Sequence, residues 1–311
     1  MEVIEGGHRP PSQPPSPEMI LLTGATGTVG RALLRRLTAA GTPVRCLVRD
    51  SHRLGADRVR VQIVLGDLAD PASFRNALRG VDTVVHLAAS IRDQPRGSLE
   101  ELNAVATLRL TRAAERSGAR RFVFFSAIGA SFQSPTRFFR AKALARQAVE
   151  SSDLETTVFS PSVVYTPGDP WLTLLQRLSY LPAMPMAGSG KALSQPIWAD
   201  DAADCVVAAM ERNGGERRRA FDLAGPESLS YDDMVRLALR PLGRERPLVH
   251  LPRPLVKRAL RVLELLTGPA AFATWEEAEL LREPMVSPRG TTDAESLGVT
   301  PMRMSAVLGA A

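Results

Sequence analysis

Eight residues, Thr23-Gly24-Ala25-Thr26-Gly27-Thr28-Val29-Gly30, constrain the fold of this chain more than any other feature. They stand between an aliphatic run at residues 19–23 and a segment of helical periodicity at residues 31–40. A glycine-rich turn from strand to helix lets backbone come close to a pyrophosphate, and the helix start offers unpaired N–H groups and the positive end of its dipole. At these positions Gly24 permits the tight turn, Gly27 the close approach and Gly30 the close packing of helix on strand. The spacing is GxxGxxG, so its weight comes from its place at the head of a strand–helix series.

That series runs to about Pro161. Strands are predicted at residues 44–48, 61–65, 83–87, 121–126 and 156–159, and helices at 70–79, 99–117 and 136–151. Near-continuous apolar strands suit a parallel sheet covered on both faces. Beyond Pro161 prolines cluster and the rhythm breaks, with helical segments at 201–211, 231–239, 254–266 and 275–282. The expected architecture is α/β: a doubly wound parallel sheet of Rossmann type over residues 18–165, then a small irregular C-terminal cap over 166–311. Some cap segments are expected to return to the sheet. Residues 1–17 read as a disordered proline-rich leader without the apolar core of a secretory signal.

With 311 residues, 44% hydrophobic and 23% charged, the chain has core enough for one large domain or two smaller ones. Its net charge of +6 reads as diffuse, and aromatics are 5%, which argues against a nucleic-acid partner. Cys46, Cys205 and four scattered histidines show no metal spacing, and the unpaired thiols suit a reducing cytoplasm. No apolar stretch reaches the length of a membrane span.

The end of the second predicted strand bears on the dinucleotide. An acid there binds the ribose 2′-hydroxyl of NAD, whereas arginine accommodates the 2′-phosphate of NADP. Here Val48 is followed by Arg49 and Asp50, with Arg53 close behind. Arg49 and Arg53, with Arg31 as a further phosphate contact, favour NADP(H). The alternative is a solvent-facing Arg49 with Asp50 on the ribose. After the third strand, Gly66-Asp67-Leu68 sets Asp67 and Leu68 beside the adenine, unless Asp67 only caps a turn.

The glycine loop, Gly66-Asp67-Leu68, His86-Leu87-Ala88-Ala89, Phe124-Phe125-Ser126-Ala127 and Ser160-Pro161-Ser162-Val163-Val164-Tyr165 together resemble the atypical short-chain dehydrogenase/reductase superfamily. Softer motifs, Gln195-Pro196-Ile197 and Leu297-Gly298-Val299-Thr300-Pro301, resemble the group around the NADPH-binding accessory subunit of respiratory complex I. The resemblance runs from about Met19 to the C-terminus. It implies that Gly24, Gly27 and Gly30, with Thr26, Thr28 and Val29, hold the pyrophosphate. It implies too that Ala88 and Ala89 flank the adenosine ribose, and Pro161 and Val163 the nicotinamide. A respiratory complex becomes a conceivable partner.

Active members of that superfamily place a tyrosine four residues before a lysine, on one helix face, where the cation lowers the tyrosine pKa. Here Lys142 is present and Phe138 stands at the tyrosine position. Phenylalanine keeps the ring and loses the titratable group. One reading is a cofactor-bound protein without tyrosine-dependent turnover, with a structural, redox-sensing or assembly role. Lys142 then still bonds the nicotinamide ribose. A second is an oxidoreductase on a small apolar carbonyl or quinone-like acceptor, protonating through Ser126, Ser131, His86 or, foremost, Tyr165. A third leaves Lys142 on the surface of a bare scaffold. Ser126 has an alternative role as a cap for backbone at its strand end.

Two apolar features remain. Residues 254–266 form an amphipathic helix with Lys257, Arg258 and Arg261 opposite Leu255, Val256, Leu260, Leu263 and Leu266. Its wide apolar face favours core packing, and the alternative is an anionic membrane surface. Trp171, Leu172, Leu174, Leu175, Met184 and Met186 either line a substrate pocket or belong to ordinary core. The cofactor assignment can be tested directly. Arg49→Glu is expected to weaken NADPH far more than NADH in calorimetric titrations, and equal losses for the two would refute a 2′-phosphate contact.

Overall fold

The computed structural model describes residues 18–212, 216–267, 275–280 and 282–309; the proline-rich leader lies outside them. The first half supplies strands β1 (Ile20–Thr23), β2 (Val44–Val48), β3 (Gln62–Leu65), β4 (Thr83–His86), β5 (Arg121–Phe125) and β6 (Glu155–Pro161). Between them lie helices α1 (Thr28–Ala39), α2 (Pro71–Phe74), α3 (Ala106–Ser117) and α4 (Arg137–Glu150). All six strands are parallel, and a seventh, Arg218–Leu223, returns from the second half to pair with β6. The spatial order is β3–β2–β1–β4–β5–β6 and then Arg218–Leu223. β2 lies on one side of β1 and β4 on the other, so the winding reverses there. In such sheets ligands enter the crevice at the carboxyl ends of the strands at that point.

Side-chain alternation explains why the strands read as apolar runs. Ile20, Leu22, Val85 and Phe125 pack with Leu33 and Leu37 of α1 and with Ala202 and Val206 of α6 (Ala199–Glu211), after α5 (Pro170–Leu178). Leu21, Val84, Phe122 and Phe124 face the other way, onto Leu110 of α3 and Val149 of α4. β3 departs from two-sided burial. As the sheet edge it has one strand neighbour, and Ile63 and Leu65 are exposed. The helix read over residues 99–117 is helical over that span, with a π-helical stretch, Glu101–Val105, ahead of α3. Asp70 caps α2 by accepting from the Ala72 N–H at 3.0 Å, with Pro71 in the first turn as its sequence suggested.

The second half is fastened to the sheet by packing and charge. Arg36 of α1 donates to Asp200 at 2.7 Å and to both carboxylate oxygens of Asp204 at 2.5 and 2.9 Å. Beyond α6 the chain builds α7 (Tyr231–Leu239), a strand Leu248–Leu251 that pairs in parallel with Met184–Ala187 from before α6 as a two-stranded ribbon, and α8 (Arg253–Thr267). Met184, Met186 and Leu175 are buried with Val235 and Leu239, Trp171 packs against this cluster, and Trp171 and Leu172 pack against a second one around Tyr165 and Met234, so these residues are cap core. Of the apolar residues expected to pack α8 into the core, Leu255 is 55% exposed and Val256 and Leu260 are half-buried, while the side chains of Leu263 and Leu266 lie outside the described residues; Val262 and Leu265, at 53% and 85%, are exposed as well.

Gly30 shows how tightly the start of α1 is set. A Cβ there would lie 2.0 Å from the Gly24 carbonyl oxygen and 2.8 Å from its carbon, both backbone atoms that have little room to yield. Gly30→Ala is therefore expected to cost roughly 1–3 kcal/mol and to lower the melting temperature by about 2 °C or more. Gly27→Ala, whose Cβ meets the same oxygen at 3.2 Å, should cost less. Calorimetric melting of the two variants decides the order.

Candidate functional site

The crevice at the winding reversal begins with the glycine loop. Gly24 has φ +75°, and a Cβ there would stand 2.6 Å from the Ala88 nitrogen. Only glycine both turns in this sense and lets the loop touch the end of β4. Gly27 donates its N–H to the Gly24 carbonyl at 2.9 Å and then serves as the N-cap of α1, with no capping side chain. The first turn of α1, Thr28-Val29-Gly30, holds no acidic residue. Its unpaired N–H groups and positive dipole end form an anion cradle.

A cleft of about 300 Å³ extends from this loop across the ends of β2 and β4, lined by Gly24, Thr26, Gly27, Arg49, Arg53, Asp67, Leu68, Ala88 and Ala89. At its outer end Arg49 donates to the Gln94 side chain at 2.7 Å. Arg31 reaches the Thr26 carbonyl at 3.1 Å and the Arg53 carbonyl at 3.4 Å, which ties the glycine loop to the segment after β2. The Asp50 carboxylate accepts the His52 N–H at 2.9 Å and caps the following 3-10 turn. Asp67 accepts the Ala69 N–H at 3.0 Å and bridges Arg96 at 3.1 Å. It is thus a turn cap and a cleft wall together. Ser90, Gln94 and Arg96 were not singled out in the sequence, where residues 90–97 show only a polar segment containing proline and glycine. Tertiary packing brings that segment over Arg49 and Asp67.

A second group of site residues gathers at the end of β5. Lys142 is 3% exposed, and its Nζ donates to the Phe125 carbonyl at 2.7 Å. The ammonium lies 5.1 Å from the Phe124 ring centroid and 5.7 Å from that of Phe138. Burial disfavours its charged form and pushes its pKa down to about 7. This excludes a free surface lysine. Ser126 donates its backbone N–H to the Phe159 carbonyl at 2.7 Å, while its buried Oγ has no partner. The capping role considered for that hydroxyl is not realised. Pro161 ends β6 and Val163 follows it, accepting from Ile197 N–H at 2.9 Å; neither lines the cleft.

Three other candidate proton donors lie away from this group or are locked. His86 is fully buried on β4, with Nδ1 2.6 Å from Thr23 Oγ1 and Nε2 2.9 Å from Thr107 Oγ1. Burial, then the Lys142 charge, pushes its pKa down to about 3, so the ring is neutral. Tyr165 is fully buried in the cap with Met234, Met304 and Leu308; burial raises its pKa, and its hydroxyl has no partner. Ser131 bonds the Gln133 side chain at 2.8 Å in a turn beyond β5. Among the described residues, no cluster of three or more His, Cys, Asp or Glu side chains is arranged to hold a metal, and no helix is long and apolar enough to cross a membrane.

Comparison with known proteins gives this geometry a context. The sequence family described as NAD(P)H-binding matches residues 24–173. A (4-alkanoyl-5-oxo-2,5-dihydrofuran-3-yl)methyl phosphate reductase of Streptomyces griseus is 32% identical over 231 residues, covering 73% of this chain and 74% of that protein. NADH dehydrogenase [ubiquinone] 1 alpha subcomplex subunit 9, mitochondrial, of Arabidopsis thaliana is 29% identical over 261 residues; the match covers 80% of this chain and 64% of that protein. The crystal structure of a nucleoside-diphosphate-sugar epimerase from Staphylococcus aureus superposes with a TM-score of 0.73 at 20% identity, covering 93% of this chain and 99% of that one.

Burial of Lys142 has a consequence for stability. An unfolded lysine keeps its proton up to about pH 10.5, whereas the folded one releases it near 7. Between these values the unfolded state binds more protons, so stability rises with pH. The rise attributable to Lys142 should reach roughly 2–4 kcal/mol, and Lys142→Met should lack it. Denaturant titrations of both proteins at pH 6, 8 and 10 measure this difference; parallel curves would show that the amine is not buried as described.

Proposed function

Because this chain belongs to the NAD(P)H-binding, atypical short-chain dehydrogenase/reductase family, we propose that it holds NADP(H) without tyrosine-dependent turnover, in a structural, redox-sensing or assembly role. The observation that carries this reading is the Phe138 ring beside Lys142, at the position of the proton-transferring tyrosine in active members. His86 and Tyr165 do not compensate, since one is clamped by two threonines and the other is sealed in the cap.

The residues present fit the cofactor. The loop from Gly24 to Gly27 and the start of α1 would receive the pyrophosphate, since no capping side chain occupies the first N–H groups of α1 and no acidic residue stands in its first turn. Arg49 and Arg53, the latter's backbone braced by Arg31, would meet a 2′-phosphate; Asp50 lines the same cleft, with one carboxylate oxygen on the His52 N–H, and is the alternative partner for the ribose. Asp67 and Leu68 would border the adenine, Ala88 and Ala89 the adenosine ribose, and Pro161 and Val163 the nicotinamide. Lys142 would hold the nicotinamide ribose hydroxyls. The bound nicotinamide supplies a hydride donor or acceptor, and Phe138 leaves no ring hydroxyl to move the accompanying proton. Both cysteines are unpaired and buried, which suits a reducing cytoplasmic setting.

An active reductase of a small apolar carbonyl or quinone is a second reading, favoured by one observation: the unpartnered Ser126 hydroxyl at the same strand end as Lys142. The two readings separate in a cuvette. NADPH should bind more tightly than NADH, yet a panel of carbonyls and quinones should cause no loss of nicotinamide absorbance. Clear turnover that Ser126→Ala abolishes would establish the second reading. Phe138→Tyr should raise any residual rate roughly 10²–10⁴-fold, and no gain would mean that the tyrosine position is not what limits the site.

A further inference from the structure

The cap carries an apolar surface that nothing in the described structure covers. In the ribbon, Val249 and Leu251 project away from the core while Leu248 packs inward, and the outward pair stands opposite Pro185 and Ala187 on the neighbouring strand. The ribbon continues through Pro252 into α8. On this helix Leu255, Ala259 and Val262 recur at i, i+4 and i+7, and all three are exposed, while Val256 and Leu260 are half-buried. Arg258 and Arg261, both exposed, lie along the flank of that stripe, as does Leu265. Lys257 is drawn off the stripe, its Nζ 5.1 Å from the Trp275 ring centroid. At the other end of the ribbon, Tyr180 and Leu181 are exposed, with the Arg244 guanidinium 3.8 Å above the tyrosine ring.

Charge decides what such a surface fits. Residues 240–267 hold seven basic and two acidic side chains, which accounts for five of the chain's six net positive charges. Four of these basic residues, Arg253, Lys257, Arg258 and Arg261, belong to α8 itself, and Arg244 and Arg246 bond Ser179 at the far end of the ribbon. An apolar stripe flanked by arginines, with a tyrosine at its rim, matches a bilayer interface, where acyl chains lie under anionic headgroups.

We propose that α8 and the ribbon leading into it form a docking face for anionic phospholipid bilayers. The helix lies in the headgroup plane, with Leu255, Ala259 and Val262 toward the acyl chains and Arg258 and Arg261 among the phosphates. Attachment is peripheral and reversible, since it rests on one amphipathic helix and a few charges worth about 1 kcal/mol each at an anionic surface. The cofactor cleft opens elsewhere, at the sheet's carboxyl edge, so docking and dinucleotide binding are separable.

The test is co-sedimentation of the full chain with vesicles of phosphatidylcholine alone or of equal parts phosphatidylcholine and phosphatidylglycerol. The chain should sediment with the anionic vesicles, and added salt should release it. Arg258→Glu with Arg261→Glu should lower partitioning roughly tenfold or more, as should Leu255→Glu with Val262→Glu. These side chains are exposed, so both variants should fold and keep NADPH affinity within about twofold by fluorescence titration, which separates this test from the cofactor reading. Absence of binding to anionic vesicles, or binding indifferent to both double variants, would overturn the proposal. So would a dimer in solution that Leu255→Glu dissociates, since a second copy would then cover the face.

Discussion

The first turn of α1 rests directly on the carbonyl of Gly24, and the position of the whole site follows from that contact. Because Gly30 has no side chain, the helix can start against the loop. Because Gly24 adopts a positive φ, the loop can lie against the end of β4. Three consequences meet there. The unpaired N–H groups of the helix point into the crevice, Ala88 and Ala89 become its wall, and the side of the sheet with β2 and β3 supplies the arginines of its outer end. A buried chain from Thr23 through His86 to Thr107 then fixes β1, β4 and α3 to one another. Each nitrogen of the neutral imidazole is used, which leaves the ring a structural strut rather than an acid or base.

Lys142 is the opposite kind of buried polar group. It is retained in an aromatic niche where burial opposes its charge, with one carbonyl as its partner. A hydrophobic residue of similar volume would pack there at less cost. Such a group persists where a ligand uses it. Its presence beside Phe138, which cannot titrate, suits cofactor retention better than proton transfer.

The second half of the chain serves two surfaces at once. One side completes the sheet through Arg218–Leu223 and clamps α6 on α1 through Arg36, so the fold is not a finished sheet with an appendage. The other, the stretch from residue 240 through α8, carries most of the net charge and an open apolar stripe.

Much of the fold was legible from local pattern. The glycine loop, the apolar strands and the Asp70-Pro71 cap each act within a few residues, so propensity and spacing determined the elements and the parallel winding. The substitution of Phe138 for tyrosine was equally plain, because it is a matter of identity at a fixed helical interval. Tertiary structure decided what depends on neighbours distant in the chain. It placed Gln94 and Arg96 over the outer cleft, sealed Tyr165 and His86 away from it, and left the Ser126 hydroxyl without a partner. It also left Leu255 and Val262 of α8 exposed, although its apolar face reads like that of a core helix. The sequence alone determined the strand, the three glycines and the helix start of the candidate dinucleotide site, since these are local features. Which side chains can reach it, and which face stays open, came from packing, because burial and hydrogen bonding belong to surfaces that only the folded chain brings together.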